Sequence, residues 1–166
     1  MPTEVEITER AFRALVRTHG LFRQEMEAYF QRKGLSGAQW GVLRTLHRAE
    51  AEGIKGLTPG ELGRRMIVKA PSVTGVIDRL ERSGHVERIP SPTDLRSKLV
   101  RLTREGRALL EGVLKHHPAQ MEKVLGVFSP AERVTFLKLI SNLLHYLRGG
   151  WILRLPFFAI LMKIPF

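Results

Sequence analysis

Residues 57–110 read LTPGELGRRMIVKAPSVTGVIDRLERSGHVERIPSPTDLRSKLVRLTREGRALL, and the order of helix starts, stops and β-prone runs within them decides the fold. Thr58, Pro59 and Glu61 form a capping box. The threonine hydroxyl accepts from the amide three residues on, the glutamate reaches back, and proline suits the first helical position. The short helix they open runs to about Met66. After residues 67–70, Pro71 opens a second helix in which Val73, Val76, Ile77 and Leu80 fall on one side at i, i+3, i+4 and i+7, and Gly84 stops it. Residues 86–89 and 98–102 are β-prone. Pro90, Ser91, Pro92, Thr93 and Asp94 between them read as the long tip of a hairpin. The stretch is therefore a helix-turn-helix followed directly by a β-wing.

Helices flank this unit on both sides. In residues 10–32, Phe12, Leu15, Val16, Phe22, Met26, Tyr29 and Phe30 recur at steps of three and four, and Gly34 ends the run. Ser36 with Gln39 resembles a second capping box, opening a helix to about Glu50 whose stripe is Trp40, Leu43 and Leu46. Helix resumes at Thr103 with Ala108, Leu109, Leu110, Val113 and Leu114, and Pro118 is expected to kink or break it. Ser129, Pro130 and Glu132 start a last helix with Phe136, Leu139, Ile140, Leu143, Leu144 and Leu147 on its apolar face. The expected fold class is mainly α with a small β-wing. No internal repeat or low-complexity linker interrupts it.

Composition bounds what such a fold does. The chain has 166 residues, 43% of them hydrophobic, which supplies the core of one compact domain. It has no cysteine, which removes disulfides, thiol nucleophiles and thiolate-held metals. The polar, acidic N-terminus is no secretory signal, so a cytoplasmic location is expected. The formal net charge is +11, which points to a nucleic acid or an anionic surface. Residues 57–110 are the most basic third, with 11 basic and 6 acidic side chains.

A helix that enters a DNA major groove must bury one face and show the opposite one as small polar and basic residues. The helix from Pro71 does this, with Ser72, Gly75, Arg79 and Arg82 outward and Lys69 and Thr74 beside them. Gly75 in mid-helix costs about 1 kcal/mol relative to alanine, which marks a close approach of backbone to DNA or to a packed neighbouring helix. In the hairpin, Asp94 stands two residues before Arg96. There it braces the guanidinium for a narrow minor groove, or else forms a simple surface ion pair.

These residues resemble the MarR (multiple antibiotic resistance regulator) family of winged-helix transcription factors. The resemblance is carried by LTPGELGRRM, by PSVTGVIDRLERSGHVER and by DLRSKLVRLTREGRALL, and it extends more weakly over residues 10–147. It implies an obligate homodimer joined through helices at 10–35 and 119–147, with 57–110 as the DNA-reading unit. It implies a pseudo-palindromic double-stranded operator with half-sites roughly 10 bp apart. By position, Ser72, Thr74, Gly75 and Arg79 meet bases or phosphates and Lys69 a phosphate. Arg96 enters the minor groove braced by Asp94, and Lys98 and Arg101 neutralise backbone charge. Repression by occluding polymerase is the expected mode, with ligand-independent regulation or activation as the alternative.

Family members often release DNA when a small aromatic or phenolic anion binds beside the dimer helices. His19, Phe22, Trp40, Leu43 and His47 are the candidates for such a site here, although an aromatic stripe at this spacing is also what a plain core requires. No cofactor or metal is expected: adjacent His116 and His117 diverge by about 100° on a helix and chelate one ion poorly. An enzyme is not expected either, because phosphate loop, nucleophile elbow and His-Glu-x-x-His are all absent. The remaining alternative is a basic binder of DNA or membrane surface without sequence preference. Residues 151–166, WILRLPFFAILMKIPF, have 14 apolar positions counting prolines. They are too few and too proline-broken to span a bilayer, which takes about 20, and a membrane partner is not expected. Dimer packing, interfacial membrane contact, or an extension without a selected role remain open for this tail. A sharper form of the packing reading has it dock across the dimer or plug the ligand cleft.

Overall fold

The computed structural model describes residues 2–66, 72–92 and 96–147. Its elements are α1 (Glu4–Gln31), α2 (Gly37–Ala51), α3 (Pro59–Arg65), α4 (Val73–Arg82), β1 (Val86–Pro90), β2 (Lys98–Leu102), α5 (Arg104–Leu125) and α6 (Pro130–Leu147). This is the order expected from the sequence. Ser36 with Gln39 and Thr58 with Glu61 form the reciprocal caps foreseen for α2 and α3. Ser129 and Glu132 do the same at the start of α6. The chain divides into two compact units, at Gln120 and Met121.

In the first unit the core is built where α2, α3, α4, the hairpin and α5 turn their apolar stripes together. Val42, Leu43, Leu46, Leu57, Leu62, Val76, Ile77, Leu80, Val86, Val100, Leu102, Leu110 and Val113 are all buried there. The strands pair antiparallel in the register Val86↔Leu102 to Pro90↔Lys98. Leu57 forms a further bridge to Val100, donating to its carbonyl at 3.0 Å and accepting from its amide at 2.8 Å. The wing is thereby fastened to the segment that leads into α3. In α1 only Met26, Tyr29 and Phe30 are buried, and residues 2–24 are exposed.

The junction of α4, β1 and α5 is the tightest place in this unit. Gly84 adopts φ +74°, which reverses the chain after α4, and the His85 amide donates back to the Leu80 carbonyl at 2.9 Å. The Thr103 hydroxyl donates to the Gly84 carbonyl at 2.6 Å and accepts the Gly106 amide at 3.0 Å, while the Thr103 amide reaches the His85 carbonyl at 3.2 Å. Gly106 lies so close to His85 that a β-carbon there would overlap the His85 carbonyl oxygen.

The second unit is simpler. Arg133 forms a two-pronged ion pair with Glu122, at 2.8 and 2.6 Å, and Phe128 stacks on Phe136 with ring centroids 5.3 Å apart. No residue of α6 is buried.

Three boundaries differ from expectation. First, α1 begins at Glu4 rather than near residue 10, because Thr3 and Glu6 form a capping box ahead of any strong apolar period. Second, α4 begins at Val73, with Ser72 as its cap, whereas the expected opening residue, Pro71, lies outside the described residues. Third, α5 runs on through Pro118. That proline is on the exposed side of the helix, where a carbonyl displaced by the ring turns to water.

Gly106→Ala is expected to destabilise the protein by about 2–4 kcal/mol, the cost of overpacking against backbone that cannot move away. Urea unfolding followed by circular dichroism measures it, and Gly112→Ala, where a β-carbon meets nothing within 4 Å, is the control expected to be neutral or stabilising.

Candidate nucleic-acid interface

Burial of Val76, Ile77 and Leu80 fixes the rotation of α4 and leaves Thr74, Asp78, Arg79 and Arg82 exposed. The side chains of Thr74 and Arg79 form no hydrogen bond or ion pair with the described residues. Ser72 is not an outward helical residue as expected. It sits in extended conformation, φ −147° and ψ 104°, and its Oγ accepts the Gly75 amide at 3.1 Å. Its hydroxyl proton remains available to an acceptor outside the chain. Of the two readings of Gly75, the packed neighbouring helix finds no support among the described residues: the atoms nearest to a β-carbon there are Ser72 Oγ at 3.3 Å and Ser72 Cβ and Arg79 Nη1 at 3.8 Å. The backbone at Gly75 is open to an incoming surface.

Asp78 places a carboxylate on this otherwise basic face, and Arg88 of β1 neutralises it. The guanidinium donates to Asp78 Oδ1 at 2.5 Å and also pairs with Glu81 one turn further on. The hydrogen bond to Asp78 and the charges of both acids raise the Arg88 pKa above its usual range, so the side chain stays cationic. The same pairs tie the wing to α4. Sequence reasoning missed this group because the partners come from opposite sides of a turn, although two acids three residues apart before an Arg in the first strand are visible in ASP-x-x-GLU form at 78 and 81. Arg107 similarly ties α5 to α2 through Glu50, at 2.7 and 3.0 Å.

On the wing, Arg96 and Lys98 are exposed. Lys98 stands opposite Pro90. Arg101 faces Glu87 across the strands and donates to it at 2.8 Å. Lys69 and Asp94 lie outside the described residues, as does the tail at 151–166.

The candidate ligand residues do not converge. His19 and Phe22 are on the exposed stretch of α1, Leu43 is fully buried in the core, and His47 lies beside Arg44 on α2. Trp40 joins an aromatic cluster instead, stacked on Phe30 at 5.0 Å and tilted against His117 at 5.0 Å. His117 also lies 6.1 Å from Tyr29, and its Nδ1 is buried without a hydrogen-bond partner. Burial, reinforced by the Arg44 charge, holds its pKa below the ordinary 6.5. A surface cavity of about 470 Å³ lies by Pro2, Glu6, Glu9, Arg10 and Arg13, and one of about 330 Å³ by Phe128, Ala131, Glu132, Thr135, Phe136 and Leu139. Neither contains a candidate ligand residue. Among the described residues no cluster of His, Asp and Glu could hold a metal, and no helix is long and apolar enough to cross a membrane.

A capped helix-turn-helix whose second helix exposes threonine and arginine, followed by a two-stranded wing pinned to the same core, defines a winged-helix DNA-binding protein. Comparison with known proteins narrows the class. The MarR family model matches residues 33–97. The transcriptional activatory protein BadR of Rhodopseudomonas palustris is 32% identical over 145 residues, covering 87% of this chain and 78% of BadR. The HTH-type transcriptional repressor YetL of Bacillus subtilis is 34% identical over 122 residues, 74% of this chain and 71% of YetL. A cysteine-to-serine variant of Escherichia coli MarR, solved with operator DNA, superposes with a TM-score of 0.72 at 24% identity, covering 86% of this chain and 99% of that one, and speaks for the fold. The chain belongs to the MarR family. It is a DNA-binding transcriptional regulator and not an enzyme.

Two predictions follow from these side chains. Arg88→Met leaves Asp78 and Glu81 uncompensated on the reading face, so affinity for DNA falls by roughly tenfold, about 1.4 kcal/mol, and the loss is larger at low salt. Adding Asp78→Asn and Glu81→Gln to the same chain regains most of it in an anisotropy salt series. For His117, the folded pKa is depressed, so the stability it confers is complete above the unfolded value of about 6.5 and is lost as pH falls through the folded value. The urea midpoint should therefore drop on acidification from about pH 7.5 to about pH 5.5, and drop less in His117→Phe.

Proposed function

We propose that the protein binds a pseudo-palindromic double-stranded operator as a homodimer, in a sequence-specific way, and represses transcription by occluding polymerase. The observation that carries this reading is the face of α4. The side chains of Thr74 and Arg79 are exposed and have no partner among the described residues, the nearest side chains to Gly75 are those of Ser72 and Arg79, and the one acid among them is neutralised by Arg88. Thr74 and Arg79 read base edges in the major groove, where arginine pairs best with guanine. Ser72 and Lys69 hold phosphates. Arg96 enters the minor groove beside the wing, with Asp94 as its brace, and Lys98 neutralises backbone charge.

Dimerisation is supported by the apolar side chains that α1 and α6 expose. α1 exposes Phe12, Leu15, Val16, Leu21 and Phe22, and α6 exposes Val134, Leu137 and Leu144, each more apolar side chain than a helix that stays in water presents. Two-fold symmetry then sets half-sites roughly 10 bp apart. Repression is the mode of YetL. Activation is a second reading, favoured by the likeness to BadR over most of the chain. Relief by a small aromatic or phenolic anion is the regulatory part of the proposal. Half-buried Trp40 and His47, with Arg44 between them on α2, supply a ring surface and a cation for such a ligand.

The test is fluorescence anisotropy on fragments of the gene's own upstream DNA with competitor DNA and a salt series. Arg79→Ala is expected to cost about 1–3 kcal/mol at one operator position and to relax specificity there. Lys98→Ala is expected to weaken all sequences alike and to lower the salt slope by about 1. Arg96→Ala should weaken operator binding strongly. Equal losses on every sequence for all three variants would overturn sequence-specific reading. Transcription in vitro from the bound promoter separates repression from activation.

A further inference from the structure

The apolar positions of α6 occupy far more of its circumference than one partner can cover. At 3.6 residues per turn, Leu139, Leu143, Phe136, Leu147, Ile140, Leu144, Leu137 and Val134 spread in that order over roughly 220°, against the about 100° that a helix burying a single face presents. No residue of this helix is buried, and Leu139, Leu147 and Val134 are 61%, 70% and 68% exposed. One neighbouring helix covers about one such face, so α6 has room for two helix-sized partners. The shallow cavity of about 330 Å³ by Phe128, Thr135, Phe136 and Leu139 lies on the side of Phe136, Leu139 and Leu143.

The chain itself carries an occupant of matching chemistry. Gly149 and Gly150 follow Arg148 just beyond the end of α6, a pair that permits a sharp reversal. Residues 151–166 come next, apolar except for Arg154 and Lys163. α6 has 18 residues, so it is about 27 Å long. Sixteen residues reach about 24 Å as helix and over 50 Å when extended, which suffices to run back along the helix to Phe128. We propose that residues 151–166 dock in cis along the Phe136–Leu139–Leu143 side of α6, with aromatic side chains of the tail filling the cavity by Phe128. The opposite side, Val134, Leu137 and Leu144, is left for the second copy. Only this last assignment rests on the homodimer proposed above.

Trp151 reports directly. The difference between the emission of the full chain and that of Trp151→Phe isolates it from Trp40. The expected result, in the absence of lipid, is emission blue-shifted from that in urea and acrylamide quenching several-fold weaker, both unchanged on dilution. Leu139→Asp, at a position exposed in the folded chain and hence tolerated by the fold, should return Trp151 to its urea-like emission. Leu137→Asp should leave Trp151 buried and shift sedimentation toward the monomer. Three results would overturn the docking: Trp151 as quenchable in the native chain as in urea, no response to Leu139→Asp, or burial that appears only when phosphatidylglycerol vesicles are added, which would make the tail a membrane contact. A Leu137→Asp chain that stays dimeric with Trp151 still buried would support the docking and count against the dimer assignment alone.

Discussion

The close approach of Gly106 to the His85 carbonyl, with Thr103 bonded to both sides of the turn at Gly84, is the constraint on which the reading unit depends. Three elements meet there within a few residues: the end of α4, the start of β1 and the first turn of α5. In the docking proposed above, helix and wing enter two adjacent grooves, which requires their basic side chains at a fixed relative position. The junction sets it before DNA arrives, so little ordering cost is left for the binding step. Arg88 adds a second tie between the same two elements, further from the turn.

Electrostatics on α4 follow a division of labour among its charged residues. Asp78 and Glu81 are engaged by Arg88, Arg82 reaches back to the Asp78 carbonyl at 3.4 Å, and the Arg79 side chain has no partner among the described residues. Of the 11 basic residues in the middle third, several hold the fold rather than the ligand. Arg65 pairs with Glu52, Arg101 with Glu87 and Arg107 with Glu50. The count of basic residues therefore overstates the electrostatic footprint, and geometry decides which cations are available.

What could be read from the sequence was local. Thr58, Ser36 and Ser129 announce their helices because each cap is written within four residues, and Val76, Ile77 and Leu80 announce their buried face because the period is confined to one helix. The start of α1 was missed because its cap, Thr3 with Glu6, precedes a stretch whose apolar residues are too sparse to show a period. Leu43 illustrates the opposite limit: a buried residue and a ligand-lining one on the same stripe look alike until the neighbouring helix is in place. The Arg107–Glu50 pair, 57 residues apart, and the aromatic surroundings of His117 are created by tertiary packing alone. No spacing along the chain encodes them.

The bridge from Leu57 to Val100 has a consequence for how such a protein diversifies. β2 is engaged on both edges: the amide and carbonyl of Val100 both turn to Leu57, while its neighbours Leu99 and Arg101 stand opposite Ile89 and Glu87 of β1. The base of the wing is thus anchored as a central strand would be, and the Ser91 amide carries the pairing past Pro90 and Lys98 by donating to the Ser97 carbonyl at 3.1 Å. Residues gained or lost beyond that pair lengthen or shorten the wing without altering the register of β1 on β2 or the core beneath. The length of the wing is therefore open to insertion and deletion, while α4, packed into the core, changes only by substitution.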